Sequence, residues 1–288
     1  MYLYLNGEYI LESEAGVSVF DRGFLYGDGL FETMRAYKGH IFRLDQHMQR
    51  LFKGLELLRI KNAWTGSALK HVLYRLLELN KLKDAYIRLT VSRGVGGRGI
   101  DIAGCDNPTI VINSREFLPY PESLYRDGVR ACISEKRMNC RNPIDSQIKS
   151  LNFLNNILVR MEASERGVFE AVMLNHKGYL TEGTVSNLFF VIEGVLYTPS
   201  PEAGILEGIT RQVVLEVAAE KGITVEEGLF STKELCEAEE VFLTNSLIEI
   251  MPVSGIESKM YVRGRITRIT ERLMNAYKEQ VDEEILAG

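Results

Sequence analysis

Apolar residues at positions 44, 48, 51, 52, 55 and 58 recur every three or four residues, which predicts a helix over Leu44–Leu58 with one buried side. The same spacing predicts a second helix over Ser67–Leu79. Before them, Tyr2–Leu5 and Glu8–Leu11 flank Asn6-Gly7, the strongest short hairpin signal. Runs rich in β-branched and aromatic residues predict strands at Ala85–Ser92, Thr109–Asn113, Val168–Leu174 and Glu240–Leu243. A further hairpin is expected from Asn187–Ile192 and Val195–Tyr197 around Gly194, and a turn at Asn175–Gly178. Helices are expected over Leu151–Glu165, stopped by Gly167, over Thr210–Glu220, stopped by Gly222, and over Ile266–Glu284.

Pro119 and Pro121 stand close together, where neither a helix nor a central strand continues. That places a linker at 118–122 between an N-terminal domain, 1–117, and a C-terminal domain, 123–288. Strands and helices mix without strict alternation, so the expected class is α+β rather than a doubly wound sheet.

The chain has 288 residues, 45% hydrophobic and 25% charged, the balance of an ordinary globular protein. Its apolar runs, such as Leu188–Ile192, fall far short of the ~20 residues of a membrane span. The start, Met1–Leu5, lacks the charged and apolar regions of a signal peptide. Lys and Arg number 34 against 39 Asp and Glu, a net charge of −5, which argues against a nucleic-acid binder. The basic group Arg263, Arg265 and Arg268 reads as a solvated face. Four cysteines and four histidines are scattered without metal-ligand spacing, so no metal site is expected and a reduced, cytoplasmic setting is. These features describe a soluble intracellular enzyme or binding protein.

Gly94-Val-Gly-Gly-Arg-Gly99 fits the dinucleotide fingerprint and follows a strand. The next residues, through Gly104 and Pro108, make a poor helix, and the fingerprint needs one to hold a pyrophosphate. It reads as a glycine-rich loop. A better phosphate site is Gly204-Ile-Leu-Glu-Gly-Ile-Thr-Arg211, running into a helix whose first N–H groups and dipole favour an anion. There Gly208 allows close approach and Thr210 offers a hydroxyl and a cap. Lys149, at the entrance to an apolar segment, is a residue type that becomes nucleophilic when desolvated or placed near cations. Glu182 sits where a turn gives way to a strand.

Taken together and in order, these segments resemble the class IV aminotransferases, the fold-type-IV pyridoxal phosphate enzymes. The resemblance rests on Asp21–Arg35, His47-Met-Gln-Arg50, Ile148-Lys149-Ser-Leu-Asn, Glu182-Gly-Thr-Val-Ser-Asn187, Gly204–Arg211 and Phe242–Val253. It implies a small N-terminal α/β domain, a larger C-terminal pseudobarrel domain and a homodimer acting on an amino acid and a 2-oxo acid. It implies that Lys149 is catalytic, forms the Schiff base with pyridoxal 5'-phosphate and moves the proton. By the same resemblance, Glu182 pairs with the pyridine nitrogen and Arg50 with the phosphate, while Ile209, Thr210 and Ser246 supply further phosphate contacts. Ser186, Asn187 and Gly208 complete the cofactor set.

Three activities share this scaffold. Tyr26, Phe31, Arg35, Tyr86 and Arg88 are similar to the branched-chain aminotransferase pattern, in which Tyr26 and Phe31 line an apolar pocket and Tyr86 and Arg88 serve the substrate carboxylate. Two positions depart from it: the Gly-Thr-Ala-Ala loop is Asn245-Ser246-Leu247-Ile248, and a tyrosine after the lysine is Phe153. Leu247 and Ile248 therefore join the substrate candidates with altered shape. The loop holding Arg98, with Thr244-Asn-Ser and Glu249-Ile, resembles some aminodeoxychorismate lyases, which release pyruvate and 4-aminobenzoate. D-amino-acid aminotransferases rank third, because Phe31 and Ile100 replace two of their three carboxylate donors. The expectation is transamination with branched-chain L-amino acids, with the lyase reaction second.

Overall fold

A computed structural model describes residues 1–61, 64–97, 99–137, 148–261 and 268–287. The class is α+β, as expected, and the chain forms two compact units. One comprises Met1–Leu118, Ile148–Asn152 and Glu284–Gly288; the other comprises Pro119–Gln147 and Phe153–Glu283. Arg98, Cys140, Arg263 and Arg265 lie outside the described residues, as does the side chain of Arg268.

The first unit runs β1 (Tyr2–Leu5), β2 (Glu8–Leu11), α1 (Arg22–Tyr26), β3 (Gly29–Tyr37), β4 (His40–Ile41), α2 (Leu44–Leu57), α3 (Gly66–Leu79), β5 (Ala85–Ser92) and β6 (Thr109–Glu116). Its six strands pair antiparallel in the order β2-β1-β6-β5-β3-β4. The opening hairpin forms as predicted. Asn6 and Gly7 both take positive φ, 48° and 111°, the sense that matches strand twist in a two-residue turn.

One face of β3 and β5 carries Leu30, Met34, Ile87, Leu89 and Val91, packed with Leu51 and Leu55 of α2 and Leu69, Leu73 and Leu76 of α3. This is the amphipathic arrangement that the helical spacing predicted. The opposite face carries Phe31, Thr33 and Arg35, registered against Thr90, Arg88 and Tyr86. β3 escaped the sequence reading because both faces are occupied by charged as well as apolar side chains, so no clean alternation survives.

The helix expected from Leu151 begins instead at Leu154. The Phe31 amide donates to the Lys149 carbonyl at 2.9 Å, and the Leu151 amide donates to the Gly29 carbonyl at 3.0 Å. Backbone groups committed to β3 cannot also form a helix, so Ile148–Asn152 stays outside the helix, beside that strand.

The second unit runs α4 (Glu122–Asp127), β7 (Val129–Arg137), α5 (Leu154–Glu165), β8 (Glu170–Leu174), β9 (Asn187–Ile192), β10 (Val195–Pro199), α6 (Ile209–Glu220), β11 (Val225–Gly228), α7 (Thr232–Glu237), β12 (Glu240–Asn245), β13 (Glu249–Ile256), β14 (Lys259–Met260) and α8 (Arg268–Ala287), the last crossing into the first unit at Glu284. Strands follow the order β11-β10-β9-β12-β13-β7-β8, with β14 on β13. β7 is parallel to both neighbours and β11 is parallel to β10, while the pairs around β9 and β12 are antiparallel. The run Leu188–Val191 is buried on both faces because β9 is central. Leu188 and Phe190 enter one core, while Phe189 stacks on Phe242 at 4.9 Å. β13 was missed because Pro252 and Gly255 interrupt its pattern, and its register against β7 shifts between Val253 and Gly255. No helix lies between β5 and β6 among the described residues, which bears out the loop reading of the Gly94–Gly99 motif.

Candidate active site

In the first unit, the sheet face turned away from α2 and α3 gathers four of the substrate candidates. Phe31, Arg35, Tyr86 and Arg88 share it by register. The Phe31 ring is the hub: the Lys149 ammonium lies 4.7 Å from its centroid and the Arg88 guanidinium 3.7 Å. Both distances suit cation–π contact. Arg35 rests against two other rings, 3.9 Å from Phe117 and 4.2 Å from Tyr37. Tyr26 is the last residue of α1, 42% exposed, with the Arg22 guanidinium 5.1 Å from its ring.

On the helix side of the same strand, Glu32 is buried and receives three charge-bearing or polar N–H groups. Arg50 Nε donates to its Oε1, while Arg50 Nη2 and His47 Nδ1 meet Oε2, each at 2.7 Å. Burial alone would raise the Glu32 pKa, but the Arg50 charge and the bonds from Arg50 and His47 bring it down to about 2. His47 goes below its ordinary value, because burial and the charges of Arg50 and Lys149 outweigh the pull of Glu32. Glu32 is thus an anion, and the neutral His47 carries its proton on Nδ1.

In the second unit, Glu182 begins a tight turn that returns to β9 at Asn187, the two being bridge partners. Glu182 Oε2 accepts from the Asn187 side chain and from the Leu206 amide, both at 3.1 Å, and Asn187 also donates to the Leu206 carbonyl at 2.8 Å. Under the turn lies buried Glu170, which accepts from Thr184 Oγ1 at 2.6 Å and Ser186 Oγ at 3.0 Å. Ser186 therefore serves the turn itself.

Gly208 is the N-cap of α6 with φ −67° and ψ 141°, so Thr210 sits inside the first turn rather than capping it. Glycine is required at 208 because an added Cβ would collide with Asn187 Oδ1. Ile209 and Thr210 place their amides at the positive end of a twelve-residue helix.

Ser246, Leu247 and Ile248 form the turn from β12 to β13. The side-chain oxygen of Asn245 accepts from the Leu247 amide at 2.8 Å and the Ile248 amide at 2.9 Å, while its Nδ2 donates to the Val185 carbonyl at 3.0 Å. The Ile248 side chain is buried in the core.

Sequence reasoning assigned no role to Glu32, His47, Glu170 or Asn245. For Glu32 a signal existed: it occupies the inward phase of Leu30, Glu32, Met34, where a lone carboxylate demands buried partners. Among the described residues, no group of three His, Cys, Asp or Glu side chains could hold a metal, and no helix is long and apolar enough to cross a membrane.

The lysine and arginine fork of the first unit, and the carboxylate and helix start of the second, accord with the family expected. The family model for amino-transferase class IV matches residues 29–256, and the chain belongs to that family of enzymes. It is 41% identical over 279 residues to the "Putative branched-chain-amino-acid aminotransferase" of Methanocaldococcus jannaschii, covering 97% of this chain and 96% of that one. It is 34% identical to the aminodeoxychorismate lyase of Bacillus subtilis, over 98% of this chain and 96% of the relative. A crystal structure of the Escherichia coli branched-chain amino acid aminotransferase superimposes with a TM-score of 0.92 at 31% identity, covering 96% of this chain and 93% of that one.

Proposed function

We propose that this chain is a pyridoxal 5'-phosphate-dependent aminotransferase that exchanges an amino group between a branched-chain L-amino acid and a 2-oxo acid. The carrying observation is the sheet face on which Phe31, Tyr86 and Arg88 stand together, with the Lys149 ammonium on the same ring as Arg88. An apolar ring, a phenol and a guanidinium suit the side chain and carboxylate of a small apolar amino acid.

The donor set fits the cofactor. Arg50 is a cation held rigidly by a buried carboxylate, a group made for a phosphate. Glu182 is a carboxylate fixed by two donors, suited to keep a pyridine nitrogen protonated, and Gly208–Thr210 offer helix-start amides. Bound pyridoxal phosphate supplies an electron sink for the electrons released when a Cα–H bond breaks. Lys149 would hold the cofactor at its carbonyl carbon, and its Nζ, once displaced there by the incoming substrate amine, would be free to carry the Cα proton. Ser246 would add a hydroxyl to the phosphate contacts.

The family's homodimer is supported by an apolar surface of the first unit, where Val19, Phe20 and Phe24 are 63%, 67% and 74% exposed. A cytoplasmic setting is supported by Cys105, Cys132 and Cys236, which are free thiols.

A second reading, aminodeoxychorismate lyase, draws on one observation. Asn245 already occupies the amides of Leu247 and Ile248, which removes them from the donors a small substrate's carboxylate could use. The deciding experiment adds L-leucine alone to the cofactor-loaded protein and follows its visible absorbance. Bleaching with formation of the pyridoxamine form and 4-methyl-2-oxopentanoate supports transamination. A band that persists while the loaded protein releases pyruvate from aminodeoxychorismate overturns it for the lyase.

A further inference from the structure

Glu32 is conspicuous as a carboxylate sealed on the core side of β3, 1% exposed, in a position where an apolar residue would cost nothing. Burying a carboxylate this deeply is costly unless its oxygens are fully used. Here they are: Oε1 takes Arg50 Nε, and Oε2 takes Arg50 Nη2 and His47 Nδ1, each at 2.7 Å.

The two bonds from Arg50 come from one edge of its planar guanidinium, a fork on a fork. A planar group gripped along its Nε–Nη2 edge has its torsions fixed, and its Nη1 edge is turned away from Glu32 in a set direction. His47, one turn before Arg50 on α2, closes the other side of the same carboxylate oxygen. Its pKa lies below the ordinary value, so it binds Glu32 as a neutral donor and leaves the ion pair to Arg50.

We propose that Glu32, braced by His47, is the positioning residue that aims Arg50 at the cofactor phosphate. This rests on the reading of Arg50 as the phosphate ligand. Glu32 touches neither cofactor nor substrate. Its role is to hold a long, flexible side chain in one orientation, so that ordering it is not charged against phosphate binding. A bulk structural role for Glu32 would affect every ligand of the site alike, whereas an aiming role acts only through the phosphate.

The test compares pyridoxal 5'-phosphate with pyridoxal, which has the same carbonyl and ring and no phosphate. Dissociation constants of both are measured on the full-length, cofactor-free chain, for wild type, Glu32→Gln, Arg50→Lys and the double variant. The expected result is that Glu32→Gln weakens pyridoxal phosphate by about tenfold or more while pyridoxal changes less than about twofold. Arg50→Lys lowers the same preference, and in that background Glu32→Gln has no further effect, because the fork it aims is gone.

Equal weakening of both ligands, or no weakening of either, in Glu32→Gln overturns the proposal while a lowered preference in Arg50→Lys leaves Arg50 as the phosphate ligand. An unchanged preference in Arg50→Lys overturns both statements. If Glu32→Gln fails to fold, His47→Gln serves in its place, with the same selective loss expected on a smaller scale and an equal loss for both ligands as the refuting result.

Discussion

The amide of Phe31 donates to the carbonyl of Lys149 at 2.9 Å, so the strand that presents the ring also fixes the backbone of the lysine above it. The ammonium then returns to that ring at 4.7 Å. Position is thereby set by β3 rather than by the helix that follows, and the lysine's chemistry can be removed without disturbing its backbone anchor. Lys149→Ala is expected to fold with a melting temperature close to wild type and to lose turnover by about a thousandfold or more. Activity within about tenfold of wild type would refute the assignment of Lys149.

Glu182→Gln keeps an oxygen able to accept from Asn187 and the Leu206 amide, so the turn should survive. What disappears is the negative charge that favours a protonated pyridine. The expected outcome is retained cofactor colour and a rate of Cα-proton removal lower by about a hundredfold, read by deuterium exchange from labelled L-leucine. An unchanged exchange rate would remove the electron-sink role.

The contact between Gly208 and Asn187 admits no extra carbon. In Gly208→Ala the methyl must displace the Asn187 amide, which breaks its bonds to Glu182 and the Leu206 carbonyl together. Overpacking of this kind costs about 1–3 kcal/mol. Gly208→Ala should therefore lower stability to denaturant by that amount and weaken pyridoxal phosphate as well. Wild-type values for both would show that the turn at 182–187 has more room than the geometry indicates.

Much of this architecture was legible. The periodic apolar positions of α2 and α3 and the Asn6-Gly7 hairpin report one-sided burial and turn chemistry, both local properties. The start of α5 and the strand β13 were not, because they are decided by distant partners: Lys149 and Leu151 by β3, Pro252 by its pairing with Phe242 of β12, and Gly255 by the register with β7. The motifs singled out Lys149, Glu182 and Arg50, the side chains expected to meet a ligand directly. Glu32 and Glu170 lie one layer behind, and only the fold shows Glu32 under Arg50 and Glu170 under the Thr184 and Ser186 hydroxyls.

Glu170 gives that second layer a separate test. Removing its carboxylate in Glu170→Ala leaves two buried hydroxyls without an acceptor, at a cost of about 1–3 kcal/mol each. Glu170→Gln retains one acceptor and should lose less. The ordering wild type, Gln, Ala in urea midpoint is expected, and an alanine variant as stable as wild type would show that the hydroxyls find other partners.

The Glu32 cluster also fixes how stability responds to acid. Its folded pKa of about 2 lies below the ordinary 4.5, so the folded state holds fewer protons than the unfolded chain between those values. The contribution is fully present above pH 4.5 and is lost as pH falls toward 2, with a size on the order of 3 kcal/mol. His47 has the same sign: its pKa is pushed below 6.5, chiefly by burial, so folding opposes its protonation and stability declines as pH falls below 6.5. Asp28 and Glu162 are also depressed and titrate in the acid range, so wild type alone cannot isolate Glu32. The informative quantity is the stability difference between wild type and Glu32→Gln, measured by urea unfolding at several pH values. It should shrink steadily as pH falls from 4.5 toward 2. A difference that stays flat across the acid range would mean that Glu32 enters the folded protein already protonated, and the ion pair with Arg50 would have to be abandoned.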